Sequence, residues 1–557
     1  MRKIRKALAL ALCLGMTLAL LAACGPADTG TGTAPGGAGT STAPPQQPGA
    51  PVGTGDGDLT EAAPDEPDVV FAEHIDVILP NENFAVLNPL SPAANSTATD
   101  MVFILIHDRL LERNPDTGEY LPALARDWNT EDYQTFVFNL REDVFFHNGD
   151  QFTAQDVINT VELAREIGAG SQGAAQWAPI ETIRAIDEFT IEIVLGAVNV
   201  DFYFNLTIPA AGILNRRAIE EDSENGTWIG TGAFIVTEFL SNDLTRLARN
   251  DNYWNTDRNI LTPTMTIRFV PEMGVRAVRL QSGDSQISFG TGSEDIPLFQ
   301  ADPEYFNIVP HTFNSLTGIS FNMNDPLMAD YYFRKAVMHA ANRVDIAYFA
   351  AGDWAMPACN LPDGSIWGFQ TEFRNNNIPI IEFDQELARD YLMRSSYNGE
   401  TIQIAAAIAT AINGAQALQE QLRQVGISAY IQEMDTPGLN AYMLDPQGGS
   451  QIVFHSLAMN LSSSSYRLAF YPGGPQNRMH YDNPEVSRML VEAATMTDTN
   501  ARRDHFLRIQ EIVFADAPFF NMYHRVNPVV AVNGLGGVGL TAENRQIDLR
   551  EIFLIVD

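Results

Sequence analysis

The sequence predicts an α/β protein of several domains, β-rich in its early part and α/β in its later part. Three observations carry this. Residues 401–435 read as strand, helix, strand: a strand-like run TIQIAAAIA, a stretch AQALQEQLRQV with apolar residues at helical spacing, Gly426 as a helix stop, and a second strand ISAYIQEMD. That order implies parallel pairing through a crossover. Residues 133–147 (YQTFVFNLREDVFFH) alternate apolar with polar side chains and run into Asn148-Gly149, a turn pair, which reads as antiparallel β. The length of 557 residues exceeds what one core can serve, and 45% hydrophobic with 10% aromatic residues supply several cores.

The charge balance excludes one class of function. The chain carries 34 basic and 69 acidic residues, net −35. Such a surface repels phosphate backbones, so no nucleic-acid partner is expected. Lysine occurs only at Lys3, Lys6 and Lys335, leaving cationic work to arginine. Three cysteines exclude a disulfide framework.

The elements follow in order. Arg2, Lys3, Arg5 and Lys6 form a basic head, residues 7–20 an apolar run, and Leu21-Ala22-Ala23-Cys24 its end. Head and run are those of a secretory signal, and the run is short for a stable membrane span. Leu-Ala-Ala-Cys resembles the lipobox of bacterial lipoproteins. That resemblance implies cleavage of residues 1–23 and acylation of Cys24, with about 0.8 kcal/mol of anchoring per buried methylene. Residues 25–68, rich in Gly, Thr, Ala and Pro, cannot build a core; as a flexible coil they reach about 35–40 Å and tether the folded part to the membrane. Cys13 leaves with the signal, and Cys359 reads as a small buried hydrophobe. Structure begins near Val69 with the strand-like VVFAEHIDVIL; Pro484 opens one late helix, and residues 500–515 form another.

Catalytic and metal motifs are missing. There is no Walker-type loop, no HExxH and no GxSxG. The nine histidines stand at least 19 residues apart, so none forms a local metal-ligand pair. Gly534-Leu535-Gly536-Gly537-Val538-Gly539 matches GxGxxG, but only 18 residues follow, too few for a dinucleotide unit. Gly230-Thr231-Gly232 precedes FIVTEF, which is strand-like, against a phosphate cradle. No enzyme activity, cofactor or metal is expected.

Residues 108–128 (DRLLERNPDTGEYLPALARDW) and 136–157 (FVFNLREDVFFHNGDQFTAQDV) closely resemble the family 5 extracellular solute-binding proteins of ABC importers for oligopeptides, dipeptides and nickel. Pro122, Leu124, Ala125, Trp128, Phe138, Leu140, Arg141, Val144, Phe146, His147, Gly149, Thr153, Ala154, Asp156 and Val157 fall on the family pattern. Gly230–Phe234, Asn250–Trp254, FNMNDPLMADYYFRKAVMHAANR and GDWAMPACNLPDG continue it in family order. Trp128, Phe138, Phe146 and Trp254 read as packing aromatics, and Arg141 and Asp156 as a stabilising pair or caps. The resemblance implies a two-lobed periplasmic-binding-protein-like fold (type II, cluster C). Residues 69–105, 200–310 and 520–557 would form a discontinuous lobe I, residues 106–199 an inserted β-rich subdomain, and residues 320–518 lobe II. Two connecting segments, 311–321 and 519–529, would form the hinge.

The resemblance implies a non-enzymatic, monomeric receptor, lipid-anchored outside the cytoplasm. It would close on a ligand, dock on an ABC permease and rely on a cytoplasmic ATPase. In peptide-binding members an Asp after a lobe II strand pairs with the ligand's α-amine; Asn460 falls at that place here, and a neutral amide cannot form the ion pair. Losing such a pair costs about 2–5 kcal/mol. The following SSSS run suits hydroxylated or amide ligands. Other candidate ligand contacts are Trp354 and Trp367 in the loop after a lobe II helix, Tyr466, Arg467, Trp177 from the inserted subdomain, and Asn88. Peptides are the leading ligand class. An oligosaccharide receptor of the same family, and a sensor or chaperone lipoprotein without a permease, are the alternatives.

Overall fold

A computed structural model describes residues 69–556 except 81–84, 95, 116, 169, 224, 293, 313–314, 359–377, 446–450, 459–463, 475 and 541–546. Two mixed sheets share one long strand, Phe519–Val532. The first lobe is built on His74–Leu79, buried along five of its six residues as a parallel strand covered on both faces must be, with the buried Asp76 paired to Arg268. Thr264–Phe269 and Ile287–Phe289 flank it in parallel. Leu244–Arg249 and Phe234–Leu240 extend the sheet as an antiparallel pair. Helix Thr97–Ile106 covers one face; Ile78 on the other face packs with Ala277, Leu280, Ile296 and Phe299.

In the second lobe, Ile402–Ala406 lies parallel to both Ala429–Glu433 and Ile452–Ala458. Ser315–Phe321 runs antiparallel between Ile452–Ala458 and the long strand. The expected strand–helix–strand unit is present, and Gly426 adopts φ +96° at its helix stop. The helix is Ala409–Gln424, six residues longer at its start than the spacing suggested. Pairing ends at Ala406, and the alanine-rich run beyond it is free to take its preferred helical state. Late helices Pro484–Ala493 and Thr499–Asp516 also stand where expected, capped by Asn483 and Asp498.

The inserted subdomain is a four-stranded antiparallel sheet, ordered Ala125–Asn129, Thr135–Leu140, Thr190–Leu195, Ile180–Asp187, with helices Ala154–Ile167 and Gln172–Trp177 against it. The alternating run 133–147 is strand only over Thr135–Leu140. Beyond Leu140 a single antiparallel bridge, Phe145 to Gln151, replaces the ladder, and Val144 and Phe146 bury while Phe145 stays exposed. Gly149 makes the expected turn with φ +88°. Arg141 and Asp156 do not pair: Asp156 bonds back to Thr153 as a helix cap, and Arg141 stacks 4.5 Å from the Trp254 ring. Gly230 is needed for close approach, since a Cβ there would sit 1.8 Å from the Ile106 carbonyl oxygen. At Gly537 a Cβ would fall 1.8 Å from the Glu551 carbonyl oxygen; the GxGxxG run makes room for the C-terminal backbone.

A buried ion cluster ties the C-terminus to the segment entering the inserted subdomain. Glu112 accepts from Arg550, from Arg258 at 2.7 Å and from Arg109 at 3.2 Å, while Asp548 pairs Arg550 at 2.6 Å.

Candidate functional site

Strand register alone locates a crevice. In the first lobe Phe289 pairs with Val529 and Ile287 with Ala531, so the carboxyl end of Ile287–Phe289 points down the long strand toward residue 525. His74–Leu79 and Thr264–Phe269 run parallel to it and end on the same side. In the second lobe Ser315 pairs with Ala458, and Thr317 with Tyr523, so the carboxyl end of Ile452–Ala458 also points toward residue 525. Ile402–Ala406, parallel to it, ends there too. The carboxyl ends of both parallel sets therefore face one another across the strands that join the lobes. The second lobe has its switch point there, because its chain leaves Ile402–Ala406 for Ala429–Glu433 on one side and returns to Ile452–Ala458 on the other. Crevices of this kind, outside the carboxyl ends at a switch point, are where open α/β sheets bind ligands.

Several polar groups in this region have no partner among the described residues. Thr291, 4% exposed just past Ile287–Phe289, has an unpartnered hydroxyl; so does Thr410 in the first turn of Ala409–Gln424. That helix begins at Ile408, whose side chain cannot cap it. The Tyr523 hydroxyl donates to the Thr410 carbonyl at 3.3 Å. Burial pushes the Tyr523 phenol up to about 12, against the opposing pull of Arg525.

The sequence-based candidates divide. Cys24, Trp367, Asn460 and Cys359 lie outside the described residues. Trp177 and Tyr466 are corrections. Trp177, 1% exposed, fills the core of the inserted subdomain; Tyr466, 0% exposed, packs its ring 5.7 Å from Phe470 and 5.8 Å from Phe506. Large rings at helical positions served packing, not a ligand. Trp354 is half-buried and rests on the first-lobe cluster of Ile78, Phe306 and Val530. Arg467 is exposed, with its guanidinium 5.2 Å over Tyr471. Asn88 accepts from the Leu90 amide at 2.9 Å, a local turn. Sequence reasoning missed Thr291, Thr410, Tyr523 and Arg525. The only signal for them was position just past the carboxyl end of a strand or within the second connecting segment.

A second concavity of about 380 Å³, lined by Asn324, Arg334, His480, Tyr481 and Asp516 among others, opens at the far end of the second lobe. Its strongest groups are spent internally: Asp516 accepts from Tyr481 at 2.6 Å and from Asn483 at 2.7 Å, and Arg334 donates to the Asp516 and Met328 carbonyls. Among the described residues no group of three or more His, Cys, Asp or Glu is placed to hold a metal ion, and no helix is long and apolar enough to cross a membrane.

Comparison with known proteins agrees with this geometry. The family model described as bacterial extracellular solute-binding proteins, family 5 Middle, matches residues 119–478. The dipeptide-binding protein of Escherichia coli K12 is 25% identical over 326 residues, 54% of this chain and 59% of that protein. The glutathione-binding protein GsiB of the same organism is 24% identical over 465 residues, 81% of this chain and 88% of that protein. The structure of the ABC transporter substrate binding protein CtaP from Listeria monocytogenes superposes with a TM-score of 0.76 at 19% identity, covering 87% of this chain and 100% of that one.

Proposed function

Because the chain belongs to the family 5 bacterial extracellular solute-binding proteins, we propose that it captures a short peptide, or a polar solute like one, in the crevice between its lobes and delivers it to an ABC permease. The family binds solutes outside the cytoplasm and does not transform them; the chain is not an enzyme. The observation that carries the reading is the register across Phe519–Val532, which sets the carboxyl ends of two parallel strand sets face to face. The names of the dipeptide- and glutathione-binding relatives support a peptide ligand. A micromolar Kd needs about −8 kcal/mol, within reach of a few polar contacts in a crevice that excludes water.

In this reading residues 1–23 are removed, Cys24 carries the lipid, and residues 25–68 leave the receptor mobile at the membrane surface. The division into lobe I (69–105, 200–310, 520–557), inserted subdomain (106–199) and lobe II (320–518) follows the same logic. Closure around the ligand presents a monomeric complex to the permease.

Native mass spectrometry of the Cys24→Ser protein before dialysis tests the ligand, and fractionation of cells tests the anchor. A copurifying adduct that fragments as a peptide is expected, with the wild type in the membrane fraction and Cys24→Ser released from it. An adduct that fragments as a sugar overturns the peptide assignment. Wild type found free of membranes overturns the anchor.

A further inference from the structure

We infer that His107 and His147 form a proton-operated joint that holds the inserted subdomain on the first lobe and opens in acid. The two imidazoles lie on either side of the Gly230 backbone. His147, from the inserted subdomain, donates from Nε2 to the Gly232 carbonyl at 3.0 Å and accepts the Gly230 amide on Nδ1 at 3.3 Å. Its own amide donates to the Gly230 carbonyl at 2.8 Å. Both ring nitrogens are used in this way only when the ring is neutral with its proton on Nε2. The loop is bound on its other side to the first lobe: the Gly232 amide donates to the Ile106 carbonyl at 3.1 Å, and the Thr231 hydroxyl to Asp108 at 3.1 Å. A Cβ at Gly230 would stand 2.6 Å from Nδ1 of His107, and one at Gly212 would stand 2.5 Å from the His107 Cβ. His107 is 0% exposed at the end of helix Thr97–Ile106, and neither of its ring nitrogens has a hydrogen-bond partner among the described residues.

A proton reverses these contacts. On His147 it sits on Nδ1 and sets one N–H against the Gly230 N–H. On His107 it makes a fully buried cation that faces a second imidazole. Burial, then the neighbouring His147, lowers the His107 imidazole to about 3, against the pull of the Thr227 and Ile213 carbonyls. Burial also lowers His147, against the Gly232 carbonyl. A lowered folded value means that the released joint takes up the proton first. The joint is therefore complete above about pH 6.5 and weakens as pH falls, by up to about tenfold per pH unit for one group. The acids nearby are turned to other partners. Asp108 accepts from Thr231, Tyr253 and Trp254, and Asp150 takes Arg217 at 3.0 Å and Asn215 at 2.9 Å. Arg109, Arg258 and Arg550 act on Glu112. Burial raises the Asp108 carboxyl, so its protonation favours the folded state in acid and works against opening. The chain leaves the inserted subdomain through Val200 and Asp201, which bond Ala494 and Arg502, so an open joint also loosens that contact with the second lobe.

Hydrogen–deuterium exchange of the full-length protein in detergent, from pH 7 to pH 4.5 and corrected for the chemical exchange rate, tests the joint. Wild type, His147→Gln and His107→Phe are compared, with strand Ile402–Ala406 as the second-lobe reference and melting temperature at pH 7 as a check on folding. In wild type, amides 146–149 and 229–233 are expected to lose protection at least about tenfold more than the reference between pH 6.5 and pH 4.5. Each variant removes one titrating ring and is expected to give a shallower loss at the same amides. His107→Phe, which places its ring beside Phe103, is read where His147→Gln does not fold. A wild-type loss no larger than that of the reference assigns the change to global unfolding and overturns the joint, whatever the variants do. An unchanged slope in a folded variant overturns the role of the histidine it replaces, and an unchanged slope in both overturns the inference.

Discussion

Arg502 donates a 2.7 Å hydrogen bond to the carboxylate of Asp201, 301 residues earlier in the chain. Arg502 lies on helix Thr499–Asp516 of the second lobe, and Asp201 sits where the chain leaves the inserted subdomain. The pair is 13% and 19% exposed, and Arg502 also donates to the Ala493 carbonyl at 3.1 Å. The Val200 amide reaches the Ala494 carbonyl beside it. These contacts join the lobes away from the strands that connect them, where a closed crevice needs a second point of attachment.

Arg502→Ala is expected to shift the protein toward an open form. A partly buried ion pair of this kind contributes about 1–3 kcal/mol, so the closed population falls several-fold or more. Small-angle X-ray scattering should show a larger radius of gyration, and the off-rate of a bound ligand should rise. An unchanged radius would mean that the pair does not control closure.

The cluster around Glu112 is predicted to control acid stability. Burial alone would raise the Glu112 carboxyl, but Arg550, Arg258 and Arg109 outweigh it and hold the group well below the ordinary carboxylate range. A depressed folded value means the stabilisation is complete above the unfolded value of about 4.3 and is lost as pH falls below it. Glu112→Gln leaves three buried arginines short of a counter-charge and should cost about 3–5 kcal/mol at pH 7. The gap between wild type and variant should narrow below pH 4 in calorimetric scans. A gap constant with pH would assign the loss to packing.

His455 makes a separate prediction in a higher pH window. It bonds Ser320 at 2.5 Å within the second lobe, and burial, helped by the charge of Arg478, lowers its imidazole to about 3. A lowered folded value means that the unfolded chain takes up the proton first. Stability is complete above about pH 6.5 and falls toward pH 3, by up to about 1.4 kcal/mol per pH unit for one group. His455→Gln should flatten that slope between pH 6 and 4. A variant with the wild-type slope would show that other groups carry it.

Trp177 and Tyr466 should report on stability and not on recognition. Truncating either to Ala removes a fully buried ring and should cost about 3–5 kcal/mol. Isothermal titration of the folded fraction should give an unchanged Kd. A weakened Kd at full folding would return either residue to the ligand.

Local order was legible in the sequence because local physics decides it. The 3.6-residue spacing of 415–425, the Asn483-Pro484 start and the Gly426 stop each depend on residues within a turn or two, and each element formed where its pattern lay. The two-lobed architecture was reachable through resemblance, because glycines such as Gly230 must leave room for a neighbouring backbone in any chain of that fold. Tertiary structure alone decided which face each aromatic and each charge presents. Trp177 and Trp354 read alike in sequence, yet one is a core ring and the other a half-buried rest for the first lobe. Asp201 finds Arg502, and Glu112 finds Arg550, across 301 and 438 residues, separations that no periodicity encodes.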